Sequence, residues 1–218
     1  RPKVCANCGS SVLSRIRPGV GRLRDELEAA AQRDVLAVVA GKNKDELFDD
    51  TTADVFIGTE AVLHRCRRID VVAFLDFDSE LLAPRYQASE QAMALVAKAA
   101  RLVGIRERGG RIILQTSLPD NDVVLAAVAG NPGILSQAEL ARREMLDFPP
   151  VSALAVIEGE GGGAFATSLT AMGGITVVAH RERWLVRASS HDVLTHAFMN
   201  TERPAHSKIR IEVDPPRI

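Results

Sequence analysis

Between residues 34 and 115 short apolar runs alternate with stretches of helical periodicity, and this alternation limits the fold more than any other feature of the chain. Asp34 to Ala40 (DVLAVVA) stops at Gly41, and Asp54 to Ile57 stops at Gly58. Val71 to Leu75 ends in Asp76-Phe77-Asp78, and Arg111 to Gln115 follows Gly109-Gly110. Each run has the length and composition of a buried strand. Gly21 to Gln32, with Leu23, Leu27 and Ala30 at helical spacing, reads as a helix, as does Ser89 to Leu102, and Lys44 to Phe48 reads as a shorter one. Strands separated by helices of these lengths predict an α/β fold with a mostly parallel, three-layer sheet.

The pattern changes after about residue 136. Gln137 to Leu146 is a charged helical stretch, stopped by Pro149-Pro150 because proline supplies no amide donor and restricts the residue before it. Beyond it Ser152 to Glu158, Ile175 to Ala179, Trp184 to Ala188 and Lys208 to Val213 read as strands, and Ala164 to Met172 and His191 to Met199 as helices. The order β-α-β-β-α-β is that of a small α+β ferredoxin-like domain. Gly159 to Gly163 (GEGGG) reads as a flexible loop, since no lysine or hydroxyl follows it to complete a phosphate cradle. On one strand Trp184, Val186 and Ala188 are expected to face inward, with Arg183, Leu185 and Arg187 on the other face.

A net charge of -1 over 218 residues gives no bulk attraction to nucleic acid or to an anionic membrane, so any contact with DNA has to come from a local basic patch. No apolar run reaches the roughly 18 residues that span a bilayer, and a cytoplasmic location is expected. Cys5-Ala6-Asn7-Cys8-Gly9 has the spacing of a zinc knuckle, in which one tight turn holds two thiolates. A tetrahedral site needs two more ligands, and His64 and Cys66, on an expected loop, form an awkward chelate. The chain is therefore expected to be a piece of a longer protein that completes the site. Asp76 and Asp78 at a strand end are placed as an NTPase strand places a magnesium ligand, but the sequence has no G-x-x-x-x-G-K-[ST] loop to hold phosphates. Arginines cluster at Arg15 to Arg24, at Arg65, Arg67 and Arg68, and at Arg101 to Arg111, where they either grip phosphate or form solvated faces. No G-x-S-x-G elbow or defensible pairing of nucleophile and histidine base is present.

Taken in order, these pieces resemble the C-terminal third of the PriA family, the primosomal proteins of replication restart. Cys5 to Ser10 is similar to the last cysteine pair of the family's two-zinc insertion, and Asp54 to Thr59 (DVFIGT) to the strand that opens helicase motif V. Leu75 to Asp78, Pro84 to Glu90 (PRYQASE), Ile113 to Thr116 with Pro119, Glu139-Leu140, Arg143, Phe148 to Pro150 and Val213 to Pro215 resemble successive family segments. The resemblance implies the end of a zinc-binding insertion over 1–12, a RecA-like second helicase lobe over 13–135 and a ferredoxin-like C-terminal domain over 136–218. It implies zinc on Cys5 and Cys8 in the parent protein, branched DNA and primosome proteins as partners, and a nucleoid-associated location. ATP is a doubtful cofactor, because the nucleotide motifs depart from the family. After Gly58-Thr59 the run Glu60 to Ile69 (EAVLHRCRRI) lacks the family pattern. Leu95 to Leu102 (LVAKAARL) places apolar residues at both motif VI arginine positions, with Arg101 one position off. This is similar to the actinobacterial branch, whose motor motifs are degenerate. The expected function is DNA recognition without hydrolysis, with no catalytic residues. An active 3′-5′ helicase or a protein-interaction module without a DNA role are the alternatives. Arg183, Arg187, Lys208 and Arg210 are the expected DNA contacts of the C-terminal domain.

Overall fold

The computed structural model describes residue 4 and residues 19–39, 47–48, 53–104, 109–205 and 207–216. The chain forms two compact units, one from residues 1–74 and 95–113, the other from 75–94 and 114–218. Each is therefore discontinuous in sequence.

In the first unit α1 (Val20–Ala31) ends where Gln32 takes a left-handed conformation at φ 51°. Its Glu28 side chain then accepts from the amide of Val35, which opens β1 (Val35–Val38). β2 (Val55–Gly58) pairs with β1 in parallel, Val35 opposite Val55 and Val38 opposite Gly58. The glycine is required at that place, because a Cβ on Gly58 would stand 1.8 Å from the carbonyl oxygen of Val38. A five-residue helix, α2 (Ala61–Arg65), follows. Val38, Phe48 and Cys66 form a small core with Phe56, Val62 and Ile69 around it. β3 (Val71–Phe74) pairs with β4 (Arg111–Leu114). Among the described residues these are two separate two-stranded sheets, so the expected mostly parallel three-layer sheet is not continuous. The expected helix at Lys44 to Phe48 lies mostly outside the described residues, and Phe48 itself bridges to Cys66 as extended chain.

The second unit begins with α3 (Asp78–Leu81) and the first part of α4 (Ala88–Val103), a helix that buries Ala88, Ala92, Val96 and Ala99 at helical spacing. α5 (Asp122–Ala129) starts at Asn121, whose side chain accepts from the amide of Val123. α6 (Gly133–Leu146) starts earlier than its charge pattern indicates. It ends where Asp147 turns left-handed at φ 54° and the Phe148 amide reaches the Arg143 carbonyl, so the stop precedes the prolines.

The remaining elements are β5 (Ala153–Glu158), α7 (Gly162–Leu169), β6 (Ile175–His180), β7 (Arg183–Ala188), α8 (His191–Asn200) and β8 (Arg210–Val213). The β-α-β-β-α-β order is as expected. The strands form one sheet in the order β6-β7-β5-β8, with every adjacent pair antiparallel. Ala153, Ala155, Ile157, Val186 and Ala188 of the sheet are buried with Phe165, Ala166 and Leu169 of α7 and Leu194 and Ala197 of α8. Burial of each large side chain in this set contributes about 1.5–3 kcal/mol. The GEGGG segment is only in part a loop. Gly161, at φ 86°, caps α7, and Gly162 and Gly163 form its first turn beneath the ring of Trp184.

Candidate functional site

In the first unit the segment after β2 and the middle of α4 meet through three side chains. Lys98 Nζ lies 2.5 Å from Glu60 Oε1 and 2.9 Å from His64 Nε2, and His64 Nε2 lies 3.2 Å from the same Glu60 oxygen. Lys98 donates to Glu60, and the same ring nitrogen of His64 either accepts from Lys98 or donates to Glu60, according to its tautomer. The lysine hydrogen bond, followed by that of His64, holds the Glu60 carboxyl below its usual range. The trio is an ion-pair clamp centred on the Glu60 carboxylate. Gly58 and Thr59 stand just before it. Gly58 serves the approach of β1 to β2, and the Thr59 carbonyl accepts from Val62 at the start of α2. Ala99 is fully buried and Arg101 is exposed on the last turn of α4.

The acidic end of β3 is also spent on structure. Asp78 accepts from the hydroxyls of Thr116 and Ser117 and from the Ser117 amide at 3.0 Å. The Ser117 hydroxyl, then that of Thr116, keeps the Asp78 carboxyl below its ordinary range. The Phe77 amide donates to the Gln115 carbonyl at 2.9 Å, and Asp76 sits left-handed at φ 56°. These bonds lock Leu75–Asp78 to Gln115–Ser117, leaving Asp78 engaged rather than open to a cation. The segment Pro84 to Glu90 is tied down similarly. Arg85 binds Gln91 and Glu80, Glu90 binds Arg143, and the Arg143 guanidinium also donates to the Pro149 carbonyl at 2.8 Å. Tyr86 stacks on Phe148 with ring centroids 5.3 Å apart, Arg143 lies over Tyr86, and Arg187 lies over Phe148. Burial raises the Tyr86 hydroxyl above its usual value. Nothing in the sequence announced this column, although its members had been singled out individually.

On the C-terminal sheet Val186 and Ala188 point into the core, and Trp184 packs against it. Arg183 pairs with Glu158 at 2.5 Å, Arg210 with Glu212 at 3.3 Å, and Arg187 rests on Phe148, while Lys208 is exposed. Cys5 and Cys8 lie outside the described residues. His64 belongs to the Glu60–Lys98 clamp, and Cys66 caps α2, its thiol pushed up by burial. Among the described residues no three His, Cys, Asp or Glu side chains gather to hold a metal ion, and no helix is long and apolar enough to cross a membrane.

The elements and clusters together define a mixed α/β protein with parallel and antiparallel sheets, in which separated motifs are stitched into the two units. No family model matches the chain. It is similar, however, to the replication restart protein PriA of Haemophilus influenzae, with 24% identity over 170 residues that cover 73% of this chain and 23% of that protein. The PriA protein of Bacillus subtilis is 23% identical over 167 residues, covering 72% and 21%, and that of Chlamydia pneumoniae 30% over 105 residues, covering 47% and 14%. The chain is thus similar to part of the PriA proteins of several bacteria. It spans less than a quarter of the length of these relatives.

Proposed function

We propose that the chain is part of a replication-restart protein in which a RecA-like second lobe is kept as a scaffold, without ATP turnover, and is followed by a ferredoxin-like C-terminal domain. The observation that carries this reading is the clamp of Glu60, His64 and Lys98. Its residues fall on, or directly beside, the segments that resemble the family's motifs V and VI. Lys98 stands at a motif VI glycine, and Ala99 and Leu102 at the arginines. Without an arginine to stabilise charge on the transferring phosphoryl group, the rate falls by about 10³ to 10⁵. The degenerate motor matches the actinobacterial pattern. The remaining role is to hold branched DNA at stalled forks and help assemble the primosome, with zinc bound at Cys5 and Cys8 by completion from two further ligands. Fork-stimulated ATPase of the full-length protein tests this reading. Binding of fork DNA without hydrolysis supports it, and turnover of about one per second or more overturns it in favour of an active helicase.

A further inference from the structure

Exposed arginines, most of them without an ion pair among the described residues, gather at one edge of the first unit. The Ile69 amide donates to the Leu102 carbonyl at 3.4 Å, and the Arg111 amide to the Asp70 carbonyl at 2.9 Å. Gly110 lies so close to α4 that a Cβ on it would stand 2.4 Å from the Val103 carbonyl oxygen. These contacts draw together the approach to β3, the end of α4 and the start of β4, and with them Arg67, Arg68, Arg101 and Arg111. All four arginines are exposed. Asp70 is the carboxylate among them, and it lies 3.7 Å from Arg68. The side chains of Arg67, Arg101 and Arg111 make no ion pair among the described residues.

Elsewhere the arginines are mostly compensated. Arg33, Arg85, Arg142, Arg143, Arg183 and Arg210 each hold a carboxylate. In a chain of net charge -1, an uncompensated group of arginines is a local positive field. Exposed guanidinium groups with free donors match the oxygens of phosphate, which they can grip bidentately. We propose that this edge binds the phosphate backbone of nucleic acid independently of sequence, with Arg67, Arg101 and Arg111 as the main contacts and Asp70 restraining Arg68. The proposal rests on the replication-restart reading for its choice of polyanion, and it moves the phosphate contacts away from the C-terminal sheet.

Anisotropy of a fluorescein-labelled duplex DNA of arbitrary sequence, titrated with the full chain at stepped salt, tests the edge. Each phosphate contact contributes about 0.9 to the slope of log K against log salt on duplex DNA. Arg67→Ala, Arg101→Ala and Arg111→Ala together should flatten that slope by about two to three units and weaken low-salt binding at least tenfold. Asp70→Asn should tighten binding, a gain that damage to the fold would not produce. Arg183→Ala with Arg210→Ala should leave the slope in place. DNA bound with an unchanged slope by the triple variant overturns the proposed edge but leaves the scaffold reading intact. A chain that binds no duplex overturns the edge as well. Rapid ATP turnover by the full-length protein, with the slope of this chain lost as expected, would overturn the scaffold reading alone.

Discussion

Trp184 is the single tryptophan of the chain, and its ring lies across the two glycines that open α7. A Cβ at Gly163 would stand 2.9 Å from Cζ2 of the ring and 3.5 Å from Cε2 and Cη2. Carbon atoms pack best at about 3.5–4.0 Å, so a methyl group there intrudes on the ring edge by roughly half an ångström or more. Overpacking of this kind costs about 1–3 kcal/mol. Replacing glycine by alanine inside a helix returns at most about 1 kcal/mol, and less in a first turn. Gly163→Ala alone should therefore destabilise the protein by about 1 kcal/mol, lowering the urea midpoint by about 0.3–1 M for a slope of about 1–3 kcal/mol/M. In a Trp184→Leu background the same methyl group meets no ring, because all three nearest atoms belong to Trp184. The sign should reverse there to a stabilisation of up to about 1 kcal/mol. Urea titrations of the four proteins by far-UV circular dichroism close the cycle. A coupling below about 0.5 kcal/mol would refute the packing argument, because distant sites already add to within that margin. The glycines would then behave as the loose loop that their composition indicates.

Three further outcomes follow from the same geometry. Gly58→Ala places a Cβ 1.8 Å from the Val38 carbonyl oxygen, a backbone atom that cannot rotate aside. It should cost about 3 kcal/mol or more and speed hydrogen exchange across β1, whereas Thr59→Ala should stay within about 0.5 kcal/mol; a wild-type melt for Gly58→Ala would contradict the close strand approach. Asp78 has its carboxyl depressed by the Ser117 and Thr116 hydrogen bonds, so its contribution is complete above the ordinary aspartate range and is lost as pH falls through the depressed value. Asp78→Asn should accordingly lower the urea midpoint at pH 7, with the gap to wild type narrowing in acid; a gap that widens in acid would reverse the sign. Cobalt titration of the 218-residue chain should show no tight stoichiometric thiolate binding, since Cys5 and Cys8 supply only two of the ligands that a tetrahedral site requires. A sharp one-to-one endpoint would overturn the half-site reading.

The elements legible in sequence were those with a clear period or a hard stop. The four strands of the C-terminal sheet and the helices between them were readable because apolar alternation of period two survives in runs such as Trp184–Val186–Ala188. α2, α3 and α5 were not. The first two are too short, at five and four residues, to show a helical period, and α5 (DVVLAAVA) is so uniformly apolar that it has none. The glycine run was misread because its purpose is a tertiary one, room for a tryptophan more than twenty positions away. The same limit applies to the candidate sites. The family resemblance singles out Gly58, Thr59 and the stretch at Leu95 to Leu102, but nothing in either segment says that Glu60 and Lys98 meet, because long-range ion pairs leave no local pattern.

The separated motifs are also bound into the fold of the second unit. Leu75–Asp78 is bonded to Gln115–Ser117, Pro84–Glu90 to Arg143, and Tyr86 is stacked on Phe148, which in turn carries Arg187. Each of these residues has a partner inside the second unit that would be left unsatisfied by its removal. Stability alone therefore holds such motifs in place whether or not nucleotide is turned over. Motif VI positions have no such tie. Alanine at 99 is simply buried, Arg101 is solvated, and Lys98 has found a substitute partner in Glu60. On the proposed scaffold reading, positions without such a tie are the ones free to depart from the family pattern.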